Sequence, residues 1–217
     1  MKKIAIFGAG GFGREVQMLI EQINSVNKIW EFIGYFDDGI EKGKIVNNYP
    51  VIGGIDDINR CDSELGVVFS IGDPIVKKKI SDKVTNKNIY YPILIHPNVQ
   101  IGSEEFVIIN EGTIITANNV LTVNIKVGRH VILNLGCTVG HDTMISDFAS
   151  FMPGVNISGE VLVHSCVYIG TGAKVINRVE IGENTVIGAG AVVAKSLPAN
   201  CTAVGIPAKP IKFRDKH

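Results

Sequence analysis

A six-residue period of large apolar residues runs through the second half of this 217-residue chain. Stepping by six from Ile109 to Val193 meets a large apolar residue every time, and a glycine often follows, as at Gly140 and Gly188. This period matches neither the 3.6-residue period of a helix nor the two-residue period of a long strand. It is typical of short strands separated by regular turns, which must stack because no single repeat can bury its own apolar residues.

A different pattern occupies the first third of the chain. Residues 3–7 predict a buried strand, and a glycine-rich stretch, GAGGFG at 8–13, then leads into an amphipathic helical pattern. Glycines at this point allow a tight turn and let an anion approach the backbone N–H groups at the start of the helix. Residues 32–36 predict the next strand, which ends in two acids of a kind that can hydrogen-bond ribose or base. The candidate nucleotide-binding residues are Gly10, Gly11, Phe12, Gly13, Arg14, Asp37 and Asp38.

These residues have structural alternatives. The glycines could serve close packing between helix and strand, and Arg14 could be a solvated charge on the helix. A third strand is predicted at 65–71, followed by a helix whose three lysines, 77–79, are expected on a solvated face, with contact to a phosphate of a sugar nucleotide as the alternative. The unit is about half of a full dinucleotide-binding domain, which favours a single nucleotide without redox chemistry over an NAD-dependent oxidoreductase.

Composition narrows the function classes further. Lys plus Arg and Asp plus Glu both number 21, so the formal net charge is zero, which argues against a dedicated nucleic-acid-binding protein. No apolar run reaches the roughly 18 residues of a membrane helix, so no membrane association is expected. The four cysteines lack metal-ligand spacing, so we expect free thiols in a reducing cytoplasm and no metal.

The motifs together resemble a known enzyme family. The N-terminal GAGGFGREV, the hexapeptide repeats, the segment LNLGCTVGHD at 133–142 and the ending VGIPAK at 204–209 are similar to those of sialic-acid O-acetyltransferases and of UDP-bacillosamine and perosamine N-acetyltransferases. In that family, the third segment carries the catalytic histidine and the last one contacts CoA.

The resemblance implies an α/β plus β fold. It consists of an N-terminal Rossmann-like nucleotide-binding half-domain at 1–84, a left-handed parallel β-helix at 85–201 and a CoA-contacting tail at 202–217. The left hand comes from the resemblance, because the general crossover rule would give the right hand. The family further implies a cytoplasmic homotrimer with active sites between subunits, acetyl-CoA as cosubstrate and a nucleotide-linked amino sugar as acceptor.

Three hexapeptides make one coil of such a helix, so residue n lies beside residue n+18, about 4.8 Å away. Gly159 is therefore expected beside His141, leaving a notch and a bare backbone N–H next to the imidazole. We expect His141 to act as general base, Asp142 to fix its tautomer, and the Gly159 N–H to hydrogen-bond the carbonyl oxygen as charge develops.

Other site residues rest on the resemblance. Asn134 is implied to position the acceptor or the base, although it could simply stabilise a turn. For the acetyl-CoA contacts, the alternatives are glycines that only form corners and lysines that are only solvated. The implied acetyl-CoA contacts are Gly159, Gly170, Thr171, Gly188, Ala189, Gly190, Lys195, Pro207 and Lys209.

The remaining histidines are expected to be structural or solvated. His130 and His96 are interpreted as structural, and His164 as a solvated or inter-subunit residue. The favoured function is N-acetylation of a nucleotide-linked amino sugar in surface-glycan synthesis. O-acetylation of a sialic-acid-like sugar and a non-catalytic trimeric scaffold remain as alternatives.

Overall fold

Two structural units share one chain in the computed structural model, which describes residues 1–214 except for the side chain of Glu104. The last three residues of the predicted tail lie outside the described residues. The first unit is a mainly parallel sheet with strand order β3-β4-β2-β1-β5-β6, in which only β3 runs antiparallel to its neighbour. Its elements are β1 (Lys2–Phe7), α1 (Gly11–Val26), β2 (Trp30–Phe36), β3 (Ile45–Val46), β4 (Tyr49–Gly53), α2 (Ile55–Asn59), β5 (Leu65–Phe69), α3 (Pro74–Ser81) and β6 (Ile89–Tyr90).

The predicted strands are present, with shifted ends. The third strand ends at Phe69 rather than at 71, and the Ser70 hydroxyl that follows donates to the carbonyl oxygens of Phe7 and Gly8, at 3.0 and 2.8 Å. Strand β6 pairs with β5, so the N-terminal sheet continues past residue 84. The strand order reverses between β1 and β5, and the carboxyl ends of these two strands form the crevice where open α/β sheets bind ligands.

The second unit is a three-sided parallel β-helix made of very short strands. Face 1 contains β7 (Leu94–Ile95), β10 (Ile114–Ile115), β13 (Ile132–Leu133), β16 (Ser150–Phe151), β19 (Tyr168–Ile169), β22 (Val186–Ile187), β24 (Cys201–Val204) and the antiparallel β25 (Lys209–Phe213). Face 2 contains β8 (Gln100–Ile101), β11 (Val120–Leu121), β14 (Thr138–Val139), β17 (Asn156–Ile157), β20 (Lys174–Val175) and β23 (Val192–Val193). Face 3 contains β9 (Val107–Ile109), β12 (Ile125–Val127), β15 (Met144–Ile145), β18 (Leu162–Val163) and β21 (Glu180–Ile181).

The register between coils confirms the six-residue period. Val139 pairs with Ile157, and Ile157 pairs with Val175, so neighbouring strands are offset by 18 residues. The offset is 20 residues where Leu94 pairs with Ile114 in the first coil, and 16 where Val186 pairs with Thr202 in the last. The two extra residues of the first coil lie between Ile101, which pairs with Leu121, and Ile109, which pairs with Val127.

The apolar residues of the repeat fill the interior, and at Gly140 the residue that follows has to be a glycine. Leu121, Val139, Ile157 and the equivalent residues of other coils are almost fully buried in one cluster. A Cβ on Gly140 would lie 2.6 Å from the backbone nitrogen of Gly159 in the next coil. At this position, the backbones of successive coils are therefore too close for any larger side chain.

The N-terminal unit covers the beginning of face 1. The outward side chains of Leu94, Ile114 and Ile132 are buried in the same apolar cluster as Val16 and Leu19 of α1. Face 1 is therefore an internal surface over these coils, whereas within residues 1–214 no such domain covers faces 2 and 3. No helix within residues 1–214 is long and apolar enough to cross a bilayer.

The prediction that all three lysines at 77–79 are solvated is wrong for Lys77. Lys78 and Lys79 are exposed, but Lys77 points into the junction between the units, has 0 % exposure, and donates from Nζ to Ser150 Oγ at 2.9 Å. Burial lowers the pKa of Lys77 to about 7. His130 lies in the same junction, and burial together with the nearby Lys77 lowers its pKa to about 4.

We predict that Lys77→Met stabilises the protein more at low pH than at high pH. The unfolded chain keeps this amine protonated up to about pH 10.4, whereas the folded chain releases the proton near pH 7, so the wild type gains stability as pH rises between these values. From pH 6.5 to 9.5, the advantage of the variant should shrink by about 2–4 kcal/mol. Denaturant unfolding at both pH values measures this difference, with Lys79→Met as the exposed control. An equal advantage at both pH values would contradict it.

Candidate functional site

The corner between faces 2 and 3 carries the predicted catalytic pair. His141 and Asp142 follow β14, and their side chains are 57 % and 49 % exposed. Nδ1 of His141 lies 2.8 Å from Oδ2 of Asp142. This contact gives the imidazole a preferred tautomer with the proton on Nδ1, which leaves Nε2 as the nitrogen able to accept a proton.

Gly159 lies beside His141, as the 18-residue register requires. A Cβ on Gly159 would collide with Nε2, Cε1 and Cδ2 of His141, so the ring occupies the space that any other residue would fill. The next coil is anchored to this one, because the Glu160 N–H donates to the His141 carbonyl oxygen at 2.8 Å. Within the described residues, the Gly159 N–H itself donates to no backbone carbonyl. A basic nitrogen and an unused donor are thus neighbours.

A second coil neighbour holds Asp142 from the other side. Nδ2 of Asn124 donates to Asp142 Oδ1 at 2.9 Å. The hydrogen bonds from His141 and Asn124 together hold the pKa of Asp142 below its usual range, so the carboxylate stays charged. Sequence reasoning missed Asn124, although it lies 18 residues before Asp142 and the same arithmetic would have found it.

The corner between faces 1 and 2 carries another set of predicted residues. Gly170 and Gly188 each follow a strand of face 1, and a Cβ on Gly170 would lie 2.6 Å from the Ala189 nitrogen. Gly190 has φ +66° and donates to the exposed Thr171 carbonyl oxygen at 2.8 Å. These glycines form the corner itself, as the structural alternative holds, while Thr171, Ala189 and Gly190 also leave it open to solvent.

Asn134 lies at this corner and not at the corner of His141. It is buried, and its Oδ1 accepts from the Leu135 N–H at 2.7 Å, which fits the turn-stabilising alternative. Asn134 and His141 nevertheless stand at opposite ends of the same strand, β14. The two predicted columns therefore border one surface, face 2.

The tail closes the end of face 2. The Ala208 N–H donates to the Val192 carbonyl oxygen at 2.7 Å, which draws the segment across to β23. Pro207 and Lys209 are exposed on either side of this contact. Lys195 is also exposed and stands in the column of His141, three coils further on.

The glycines of the N-terminal turn divide into two roles. A Cβ on Gly13 would collide with the Gly8 carbonyl oxygen, so this glycine allows close packing of α1 on β1. Gly10 has no atom within 4 Å of its missing Cβ, and Gly11 has only the Arg14 side chain at 4.0 Å, so both leave space in front of the helix.

The neighbouring predicted residues mostly support this turn. Asp37 accepts from the Ala9 N–H at 2.9 Å and from the Gly39 N–H at 2.8 Å, and Asp38 accepts from the Ile55 N–H at 2.8 Å. Phe12 is half-buried against the N-terminal apolar cluster, whereas Arg14 is exposed. The aspartates thus hold the turn and the start of α2, and Asp37 is half-buried whereas Asp38 is exposed.

A cavity that sequence reasoning did not predict lies where the carboxyl end of β5 meets face 1. Its volume is about 330 Å³. Gly72 and Asp73 line it from the N-terminal unit, Tyr168 and Val186 from face 1, and Arg214 from the tail. The carboxyl edge of the N-terminal sheet therefore opens toward the later coils.

The other histidines have structural surroundings. His130 is only 3 % exposed and stacks on Phe148 with ring centroids 5.1 Å apart, and His164 Nε2 lies 2.6 Å from Glu180 Oε1. Nδ1 of His96 accepts from the Asn98 N–H at 3.1 Å. Cys61, Cys137, Cys166 and Cys201 are free thiols. Among residues 1–214, no three His, Cys, Asp or Glu side chains cluster as metal ligands.

Comparisons with known proteins agree with this architecture. Residues 3–84 match the family described as the PglD N-terminal domain, and residues 160–195 match the bacterial transferase hexapeptide family. The chain is 29 % identical to GDP-perosamine N-acetyltransferase of Escherichia coli O157:H7 over 98 % of this chain and 97 % of that protein.

Two solved structures are similar over nearly the whole chain. WeeI from Acinetobacter baumannii AYE is 32 % identical, with a TM-score of 0.87 over 97 % of this chain and 100 % of that one. PerB from Caulobacter crescentus, in complex with CoA and GDP-perosamine, is 27 % identical, with a TM-score of 0.86 over 98 % of both chains.

We predict opposite effects for alanine at two glycines of the N-terminal turn. Gly13→Ala should destabilise the protein by about 1–3 kcal/mol, because the added methyl group meets the Gly8 carbonyl oxygen and outweighs the helix-propensity gain of up to about 1 kcal/mol. Gly11→Ala adds its methyl group in open space and should leave stability unchanged or slightly higher. Denaturant unfolding of both variants tests this, and equal stability would contradict the packing role of Gly13.

Proposed function

The chain belongs to the family of hexapeptide-repeat sugar acetyltransferases, and we propose that it transfers the acetyl group of acetyl-CoA to an amino group of a nucleotide-linked sugar, with His141 as general base. The chain is therefore an acetyltransferase. The similarity to proteins named for GDP-perosamine N-acetylation, or crystallised with CoA and GDP-perosamine, supports acetyl-CoA as cosubstrate and a nucleotide amino sugar as acceptor.

One observation carries the proposed chemistry, namely that the His141 ring stands in the space left by Gly159. Because Asp142 engages Nδ1, the other ring nitrogen, Nε2, is directed to the Gly159 side. A sugar amine bound there would lose its proton to Nε2 as its nitrogen attacks the thioester carbonyl carbon. Asp142 would balance the positive charge that then develops on the imidazole.

The reaction also requires stabilisation of the carbonyl oxygen and protonation of the leaving thiolate. In the proposed reaction, the Gly159 N–H donates to the carbonyl oxygen as it becomes negative, which stabilises the tetrahedral intermediate. When that intermediate collapses, the carbon–sulfur bond breaks, the amide forms, and the imidazolium returns its proton to the CoA thiolate. The imidazole is thereby restored for the next turnover.

Face 2 is the proposed path of CoA. The outward side chains Thr138, Asn156 and Lys174 form a polar row, in which Asn156 Nδ2 donates to Thr138 Oγ1 at 2.9 Å and Lys174 donates to the Asn156 side chain. The pantetheine arm contains amides that can bond such groups and the open backbone at the Gly190 corner. Lys195 and Lys209 at the far end suit the phosphates of CoA.

The nucleotide sugar is proposed to bind at the carboxyl edge of the N-terminal sheet. Gly10 and Gly11 leave the N-terminus of α1 open, which suits a pyrophosphate. The half-buried Asp37 and the exposed Asp38 stand at this edge as candidate partners of ribose or base, and the 330 Å³ cavity beside Asp73 gives room next to it.

The position of the N-terminal unit supports an assembly with sites between chains. This unit covers face 1, whereas His141 stands at the corner between faces 2 and 3, which is opposite face 1 in a three-sided prism. A nucleotide held by one chain would therefore meet the His141 of another chain. We propose a homotrimer, and exposed apolar side chains on the coils, such as Met144 and Ile176, suit such contacts.

The biological setting follows from the chemistry of the acceptor. Nucleotide-linked amino sugars are activated monomers, so we propose a role in building a surface glycan. The need for acetyl-CoA supports a cytoplasmic site of action.

Release of the CoA thiol tests the proposed activity directly. Purified protein with acetyl-CoA should release thiol in the presence of nucleotide-linked 4-amino sugars, and mass spectrometry should show an amide on the product. Release only with hydroxyl acceptors would establish the O-acetyltransferase alternative. No release with any sugar and no binding of CoA would establish the scaffold.

We predict that His141→Ala lowers kcat by about 10²- to 10⁴-fold, because the attacking amine loses its base. The thiol-release assay at saturating substrates measures this loss. His164→Ala is the matched control, since it removes a histidine that is also paired with a carboxylate but lies on face 3. Nearly full activity of His141→Ala would end the assignment of the base.

Gly159→Ala examines the same site without removing the base. Its methyl group must displace the His141 ring, so kcat should fall while the thermal midpoint stays close to that of the control Asn177→Ala in the next coil of the column. Unchanged kcat in Gly159→Ala would show that the close packing of the imidazole on Gly159 has no part in turnover.

We predict that two inactive variants recover activity when their chains are mixed in one assembly. His141→Ala lacks the base, and Gly11→Trp fills the open space before α1, so each assembly alone should be inactive. Co-expression creates sites that combine an intact nucleotide half from one chain with an intact His141 from another. Purified mixed assemblies should therefore regain thiol release, whereas continued inactivity would mean that each site lies within one chain.

A further inference from the structure

A three-residue hydrogen-bonded chain runs from one coil to the next at the His141 corner. Asn124 donates from Nδ2 to Asp142 Oδ1 at 2.9 Å, and the other oxygen, Oδ2, lies 2.8 Å from His141 Nδ1. Asp142 is 49 % exposed, so apart from these two contacts its carboxylate faces water and could rotate. The amide of Asn124 is therefore the contact that selects which way the carboxylate points.

The backbone at this corner suits the arrangement. Asn124 has φ +54° and Asp142 has φ +58°, and asparagine and aspartate are the non-glycine residues that tolerate this left-handed conformation best. The two residues occupy equivalent positions in adjacent coils, so their short side chains meet directly. The hydrogen bond joins two rigid corners and does not depend on a loop.

Asn124 and Asp142 belong to one column of corner residues spaced 18 apart. The charges in this column explain why a neutral donor is useful at position 124. The column continues with Glu160 and Arg178, and Arg178 Nε bonds Glu160 Oε1 at 3.0 Å. Glu160 is thus paired away from Asp142, on the side opposite Asn124. A cation at position 124 would neutralise the Asp142 carboxylate, whereas an amide orients the carboxylate and leaves its charge available to the imidazole.

We propose that Asn124 is a positioning residue for the acetyl transfer, which aims the Asp142 carboxylate at Nδ1 of His141. The proposal rests on the proposed function, in which His141 is the general base. Asn124 acts through Asp142 and touches no substrate. Its loss should slow turnover without weakening the binding of acetyl-CoA.

Two variants separate the hydrogen bond from the backbone. Asn124→Gly keeps the left-handed conformation and removes the amide, and Asn124→Asp keeps the shape but replaces the donor with a second carboxylate. Asn184→Gly is the matched control, because Asn184 has φ +58° and its Nδ2 donates to Asn200 Oδ1 at 3.0 Å at a different corner.

We predict that Asn124→Gly lowers kcat about three- to tenfold, the effect of one lost hydrogen bond, with an unchanged KM for acetyl-CoA. Asn124→Asp should also lower kcat near neutral pH. In addition, its extra negative charge should shift the acid limb of the kcat/KM profile to higher pH. In the ligand-free protein labelled with ¹⁵N, the His141 ring signals should report one tautomer in the wild type and a mixture in Asn124→Gly.

The outcomes distinguish a failure of the positioning role of Asn124 from a failure of the proposed acetyltransferase mechanism. Wild-type kcat, an unmoved acid limb and a single His141 tautomer in both Asn124 variants would overturn the positioning role, while a large loss in His141→Ala would leave the proposed base in place. An equal loss of kcat in Asn184→Gly would also overturn it, since the effect would then be structural. Full activity of His141→Ala would instead remove the function on which the proposal rests.

Discussion

Backbone hydrogen bonds between neighbouring coils are the constraint on which the rest of the structure depends. The Gly140 N–H donates to the Ile157 carbonyl oxygen at 2.9 Å, and the Ser158 N–H donates to that of Val175 at 3.0 Å. Repeated along each face, these bonds hold residue n beside residue n+18. The same register that buries one aliphatic side chain over another also stacks the corner residues into columns, so the core and the candidate site have a common cause.

The site is consequently built from rigid parts. His141, its partner Asp142 and the neighbouring Gly159 all lie at corners whose backbone is bonded to the coils on both sides. A side chain in such a place needs few other contacts to be well oriented. This explains how a half-exposed imidazole can have a defined geometry with only one carboxylate partner.

Much of the β-helix and of the candidate site was predictable from the sequence, because both depend on the six-residue period and on local geometry. The coil register and the stacking of Gly159 on His141 follow from spacing alone, whereas Gly13, a candidate nucleotide-binding residue in the sequence, packs against the Gly8 carbonyl oxygen in the structure. The burial of Lys77 was not predictable, because three consecutive lysines on a short helix carry no sign that one of them faces another domain. The use of Asp37 to hold the glycine turn likewise depends on how two distant strands end side by side. Domain junctions depend on long-range packing, which a local pattern does not contain.

The unequal coil lengths at the two ends of the solenoid bear on how such a chain tolerates length changes. The first coil has two extra residues and the last has two fewer, while every strand pair between them keeps the same offset. Coils of a different length thus occur only at the two ends, where the spacing between His141 and Gly159 is not affected. A single residue inserted between β14 and β17 would carry Gly159 out of line with His141, whereas an insertion or deletion of one complete coil elsewhere would keep the columns in order. Evolution or protein engineering can therefore lengthen or shorten this scaffold in whole coils and keep His141 beside Gly159.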